Sequence, residues 1–356
     1  MKYYFEIRLF KNSKLAMKLT AFVTLFCLFC CCFKLSAQQQ KENKIRQSIG
    51  LLIQFDPALN KIIAPNSKAA IIAEGFNWSE GPLWIESKKM LLFSDVPLNT
   101  VYKWTEKGST EVYLKPSGFT GTASKSKEPG SNGLTLDINH RLVLCQHGDR
   151  QIARMDASLD QPKAKFIVLA KQFEGKRFSS PNDLVFNKKG ELFFTDPPYG
   201  LEMQNDKDPQ KETTCNGVYK IKKDGTVILL VDSITRPNGL AFFPGQKKLL
   251  IACSDPKKPN WYIYDVEGDA LTNGRIFFSA ADFDRSWKGM PDGLKIDKNG
   301  IVYATGPGGI YFFNHEGKKL GLLRLDNSTS NCALSDDEKT LYVTNDMYLL
   351  RIKLKN

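Results

Sequence analysis

The sequence predicts an all-β fold, a six-bladed β-propeller, and three observations carry that prediction. A short polar triplet recurs six times ahead of an apolar, strand-like run: Glu80-Gly81-Pro82, Asn132-Gly133-Leu134, Asn182-Asp183-Leu184, Asn238-Gly239-Leu240, Asp292-Gly293-Leu294 and Asn331-Cys332-Ala333. The runs that follow pair up as β-hairpins. No amphipathic stretch of period 3.6 and ordinary helix length stands out after the N-terminal segment. An echo at near-constant spacing marks a repeat architecture in which each unit is one supersecondary block.

Taken in chain order, residues 1–37 read as a secretory signal. Lys2, Arg8, Lys11, Lys14 and Lys18 precede the apolar stretch Leu19–Phe33, and Leu35-Ser36-Ala37 offers small residues for cleavage before Gln38. Fifteen mostly apolar residues fall short of the roughly 20 that a membrane span needs. Met17 is an alternative start, and Cys30, Cys31 and Cys32 raise lipid attachment as an alternative, against which bulky Leu28 and Phe29 argue. The expected location is therefore outside the cytoplasm, periplasmic or secreted. Residues 38–50 are mostly polar and read as a tether, and the propeller is expected over 51–356. Leu51–Ile63 and Ala69–Ala73 are candidates for outer strands that complete the last blade.

The third repeat shows the hairpin best. Asn182–Phe186 is a short run, Asn187-Lys188-Lys189-Gly190 is a turn closed by Gly, and Glu191–Asp196 is the return run. Asp292–Ile296 with Ile301–Thr305, and Asn238–Phe243 with Lys248–Cys253, repeat the plan. A further apolar run follows in each unit, among them Thr100–Trp104, Gln151–Met155 and Gly309–Phe313. The triplets are 52, 50, 56, 54 and 39 residues apart. Four-stranded blades occupy about 40–50 residues, and four to eight of them close a ring, so six units fit a six-bladed propeller better than a sandwich of irregular hairpins.

Net charge is +12, of which +5 lies in residues 1–37. No Lys/Arg block with interleaved aromatics occurs, so nucleic acid is not an expected partner, and nothing indicates an obligate protein partner. Of eight cysteines, four fall within residues 1–37. Cys145, Cys215, Cys253 and Cys332 are far apart, form no CxxC pair and read mostly as buried free thiols.

Each triplet opens on an oxygen-bearing side chain. In a propeller the innermost strands line the central channel, so residues just ahead of them converge at one mouth. Glu80, Asn182, Asn238 and Asp292 would then form a cluster of hard oxygens suited to Ca²⁺, Mg²⁺ or Mn²⁺. The three histidines, His140, His147 and His315, lack zinc-site spacing. Asn-Gly and Asp-Gly are also ordinary turn signals; what turn chemistry leaves unexplained is the Glu before Gly81-Pro82 and the prolines before Asn182, Asn238 and Asp292. Asn331 reads as a turn cap and Asn132 as a wall residue. The ends of the return strands come back to the same mouth. They bring Asp95, His147, Asp196 with Pro197-Pro198-Tyr199-Gly200, and Asp255. His147 and Tyr199 are the candidate substrate-wall groups, His147 because imidazole titrates near neutrality.

At these motifs the chain resembles the gluconolactonase/senescence marker protein (regucalcin) family of lactonases. The resemblance covers nearly all of residues 51–356. It is carried by Glu80-Gly81-Pro82-Leu83-Trp84, Cys145-Gln146-His147-Gly148-Asp149-Arg150, Ser180-Pro181-Asn182-Asp183-Leu184, Thr195-Asp196-Pro197-Pro198-Tyr199-Gly200, Arg236-Pro237-Asn238-Gly239-Leu240 and Pro291-Asp292-Gly293, and is strongest to the bacterial gluconolactonase branch. It implies one divalent cation in the channel, most simply calcium, with magnesium, manganese and zinc as alternatives. It implies Glu80, Asn238 and Asp292 as ligands, Asn182 contacting metal or substrate, and Asp292 as the proton donor and acceptor. Ser180 stands where the animal branch has an Arg, which leaves the sugar open. The implied activity is hydrolysis of a sugar lactone. The rivals are a hydrolase of other lactones or esters and a non-catalytic, metal-riveted carbohydrate-binding propeller. No Gly-x-Ser-x-Gly elbow points to a serine nucleophile.

Overall fold

The computed structural model of the protein describes residues 47–107 and 110–355. The expected signal segment 1–37, Cys30–Cys32 and residues 38–46 of the expected tether lie outside the described residues. From Ser48 the described residues form six antiparallel blade sheets and one two-stranded ribbon, Gln172–Phe173 with Lys176–Arg177, with no α-helix among them.

Blade one runs over 79–114, blade two over 131–170, blade three over 184–231, blade four over 237–279, blade five over 294–324 and blade six over 331–353. The first strand of each blade packs on the first strand of the next, and Asn331–Leu334 of blade six packs back on Ser79–Ile85 of blade one, so the ring closes. Six apolar clusters fill the six blade–blade interfaces, from Leu92, Leu134 and Leu144 between blades one and two round to Phe93, Trp104 and Tyr342 between blades one and six. Each cluster uses the alternation of apolar residues along its strands, one face toward each neighbouring blade.

The short last spacing, 292 to 331, reflects the compact strands and connections of blade five over 294–324. Blade six has only three strands of its own. Its fourth is Ala69–Glu74, paired with Tyr348–Arg351 as expected. Leu51–Gln54 departs from the expectation. It pairs with Gly321–Arg324 as a fifth strand of blade five, and Pro57–Lys61 between the two is a 3-10 turn. Ser48–Ile49 adds to the edge at Ala69–Ala70. Once Ala69–Glu74 fills the vacancy in blade six, the free edge within reach of the preceding residues is that of blade five. The N-terminal segment thus bonds to two blades.

The triplets mark interruptions in the strand ladders. Pairing shifts register between Glu80 and Leu83, between Ser131 and Leu134, and between Pro237 and Leu240. Such bulges free a residue from the ladder and re-aim its side chain. The glycine at the second position has a local cause: a Cβ on Gly81 would lie 2.1 Å from the Asn132 carbonyl oxygen, and one on Gly239 would lie 2.4 Å from that of Asp292. The triplet glycines Gly81, Gly133 and Gly239 thus abut the backbone of the next blade's triplet, and Gly293 abuts the Asn331 side chain.

The four cysteines among the described residues are free thiols, with Cys145, Cys253 and Cys332 buried and Cys215 partly so. Among the described residues no helix is long and apolar enough to cross a membrane.

Candidate active site at the channel mouth

The six triplets form one continuous ring. The Gly133 amide donates to the Asn182 carbonyl at 2.8 Å, the Thr195 hydroxyl to the Asn238 carbonyl at 2.9 Å, the Gly293 amide to the Ser330 carbonyl at 2.7 Å, and the Ser330 hydroxyl to the Ser79 carbonyl at 2.6 Å. Glu80, Asn132, Asn182, Asn238 and Asn331 are all buried. Residues from 37 to 251 positions apart are therefore neighbours, as the repeat predicts.

Within the ring, hydrogen bonds turn specific atoms inward. The Asn238 amide nitrogen donates to Ser254 Oγ at 2.8 Å, and that hydroxyl donates to the Pro291 carbonyl at 2.6 Å. The amide oxygen of Asn238 is left buried with no partner, as are Asn132 Oδ1 and Asp292 Oδ1. Glu80 Oε2 accepts the Gly81 amide at 2.9 Å. The orphaned atoms at the ring are acceptors, which is costly in a protein interior. Burial, and then the charge of Glu80, hold the Asp292 carboxyl well above the usual carboxylate range. Burial also raises Glu80, against the Gly81 hydrogen bond and with the charge of Asp183. The donor set thus fits a hard cation, which would satisfy the acceptors and neutralise the acids together. Among the described residues no group of three or more His, Cys, Asp or Glu gathers to hold a metal; the set here is two carboxylates with amides.

Asn331 does more than cap a turn. Its oxygen accepts the Cys332 amide at 2.8 Å, and its side chain also hydrogen-bonds Glu80 and Asp183. Lys295 Nζ lies 3.0 Å from the Leu294 carbonyl and 3.5 Å from Asn331 Oδ1, and its charge favours ionised Asp183. Asp183 was legible in principle: it is the one acid at the second position of a triplet, where four of the other copies have Gly.

Tyr199 belongs to the site. Its hydroxyl hydrogen-bonds Ser254, burial and then the charge of Asp292 raise its pKa, and the Arg236 guanidinium lies 5.8 Å from its ring centre. His147 is fully buried, and its ring is held against the Glu128 backbone by a hydrogen bond. Burial pushes its pKa down to about 4, so the titration near neutrality expected of it does not hold. Sequence reading missed Glu128, whose Oε2 lies 4.0 Å from His147 Nδ1 and whose charge acts on both Glu80 and Asp292. It sits in an irregular polar segment with no periodicity to single it out.

The other return-strand acids are structural. Asp196 accepts the Ser179 and Ser180 amides at 2.8 and 2.7 Å, and Asp95 accepts those of Asn77 and Trp78 at 3.0 and 3.4 Å. They clamp the segments that lead into Asn182 and Glu80. A separate cavity of about 390 Å³, lined in part by Asp206, Lys211, Cys215 and Asn216, contains none of the predicted site residues.

With this geometry in view, comparison with known proteins is decisive. Residues 78–346 match the SMP-30/Gluconolactonase/LRE-like region family. The chain belongs to that family. A gluconolactonase of Zymomonas mobilis is 37% identical over 327 residues, covering 90% of each chain. The solved gluconolactonase XC5397 of Xanthomonas campestris superposes with a TM-score of 0.73 at 28% identity, over 86% of this chain and 97% of that one. The diisopropyl-fluorophosphatase of Loligo vulgaris is 26% identical over 67% of this chain and 73% of its own. The family's matched region begins two residues before Glu80 and takes in every residue of the ring.

Proposed function

We infer that this protein is a gluconolactonase-type lactone hydrolase that uses one divalent cation and Asp292 as general acid/base. It is an enzyme, and its substrate is a sugar lactone opened to the aldonic acid. Membership of the family supports the reaction class. Cation use rests on one observation: Asn132, Asn238 and Asp292 each present a buried oxygen without a partner, beside the second carboxyl, Glu80.

Glu80, Asn182, Asn238 and Asp292 would hold the ion, and calcium suits oxygen donors of this kind best, with magnesium, manganese and zinc as rivals. Bound there, the ion supplies polarisation of a carbonyl and a lower pKa for a bound water. Asp292 takes the proton of the attacking water as the carbonyl carbon gains its new C–O bond. Asn132, Asn182, His147 and Tyr199 line the substrate. Tyr199, fixed through Ser254 and flanked by Arg236, offers a flat wall, and His147, held neutral by burial, offers a hydrogen bond without a charge.

The test is turnover of glucono-δ-lactone by metal-stripped protein reconstituted with Ca²⁺, Mg²⁺, Mn²⁺ or Zn²⁺, with calorimetry counting the sites. Activity lost on stripping and restored by one ion at one site is the expected result; full turnover by stripped protein would refute the cation's role. The likeness to diisopropyl-fluorophosphatase favours one second reading, a hydrolase of other esters, which a panel of lactones and phosphotriesters separates. The N-terminal 37 residues support export to the periplasm or medium. Mass spectrometry of the mature protein should then begin at Gln38, and an N-terminus carrying lipid at Cys30–Cys32 would replace release by anchoring.

A further inference from the structure

Lactone opening needs two proton transfers, one from the attacking water and one to the departing ring oxygen. Asp292 serves the first and sits inside the ring of triplets. The second calls for an acid near the ring but outside it, open to substrate. Glu128 meets those conditions. It lies outside all six triplets, its side chain is 25% exposed, and it takes a hydrogen bond from the Gln204 side chain. Its Oε2 is 4.0 Å from Nδ1 of the buried His147, and its charge acts on both Glu80 and Asp292. A cavity of about 270 Å³ is lined by Phe119, Lys125, Ser126, Gly148 and Gly200 among others, and Ser126 stands two residues before Glu128 in the chain. Gly148 and Gly200 are the chain neighbours of His147 and Tyr199, and a Cβ on Gly200 would lie 2.6 Å from that of His147. The cavity therefore opens beside the substrate-wall residues.

We propose that Glu128 is the general acid for the leaving ring oxygen, with His147 as the residue that positions it. This rests on the lactone-hydrolase reading of the same site. The water oxygen bonds to the carbonyl carbon and its proton passes to Asp292. The ring C–O bond then breaks, its electron pair stays on the ring oxygen, and the Glu128 proton moves to that oxygen to give the hydroxyl of the open acid. Both carboxyls return to their starting states by exchange with solvent. Burial raises Glu128 to about 7, against the Gln204 hydrogen bond, so the side chain holds a proton in a useful fraction of molecules at neutral pH.

The experiment compares two lactones that differ in leaving group. Glucono-δ-lactone releases an alkoxide, which needs a proton. Dihydrocoumarin releases a phenolate, which does not. Glu128→Gln keeps the shape and should lower kcat on glucono-δ-lactone about 100-fold and on dihydrocoumarin less than about threefold. Glu128→Asp should recover part of the loss, and calcium affinity by calorimetry should match that of the unaltered protein. Equal losses on both lactones, an undiminished rate on glucono-δ-lactone, or weakened calcium binding would each overturn the assignment. An unaltered protein that opens neither lactone would instead sink the lactone-hydrolase reading, and Glu128's role with it.

Discussion

Asp196 and Asp292 are the same residue type, the first fully buried and the second half-buried with a buried Oδ1, yet their surroundings are opposite. Asp196 accepts two backbone amides, and the cations Lys211 and Arg150 favour its charge, although burial still raises its pKa to about 7. Asp292 has an orphaned oxygen, and the acids Glu80, Asp183 and Glu128 oppose its charge. Residue type alone does not separate a structural carboxyl from one proposed to do chemistry. What separates them is whether the protein has supplied the partners or left the position for something else. Positions where local cost persists in this way are where function is concentrated.

The contrast can be broken most directly at Asp292. Asp292→Ala should lower lactone turnover about a thousandfold while the protein remains folded by circular dichroism. A variant with near-normal turnover would put the acid/base role elsewhere. Asp196→Ala should do the reverse. It strands two buried amides and should cost about 2–4 kcal/mol of stability, read by denaturant unfolding, with turnover per folded molecule little changed.

The effect of pH sharpens the same comparison. Glu80 and Asp292 have folded-state pKa values above their unfolded ones. Their burial therefore costs nothing in acid, where both states are protonated, and destabilises the fold increasingly as pH rises out of the carboxylate range. Metal-free protein should thus melt at lower temperature at pH 8 than at pH 5, a slope that saturating calcium should flatten and Glu80→Gln should reduce. An identical slope in all three would remove the buried acids as its cause. The smallest effect serves as a control. Asp160, exposed and paired with Lys88 at 2.7 Å, should tolerate replacement by Ala with the melting temperature shifted by no more than about two degrees.

Much of this was legible in the chain. The triplet spacing gave the blade count, the hairpin patterns gave most strands, and the first position of each triplet gave the polar side chains that the ring brings together. The second position was legible too: Gly81 and Gly239 are glycines because the next blade's backbone occupies the space of a Cβ. The partner of Leu51–Gln54 was not, since a short apolar strand carries no mark of which free edge it will join.

Glu128 and the protonation state of His147 were also beyond the sequence. Repetition along a chain is a local property, and a ring of blades converts it directly into convergence in space, so the periodic part of the site could be read in advance. Glu128 comes from an irregular loop, and the His147 pKa comes from how completely its neighbours exclude water. Both depend on distances between segments that share no pattern, and only the folded ring sets those distances.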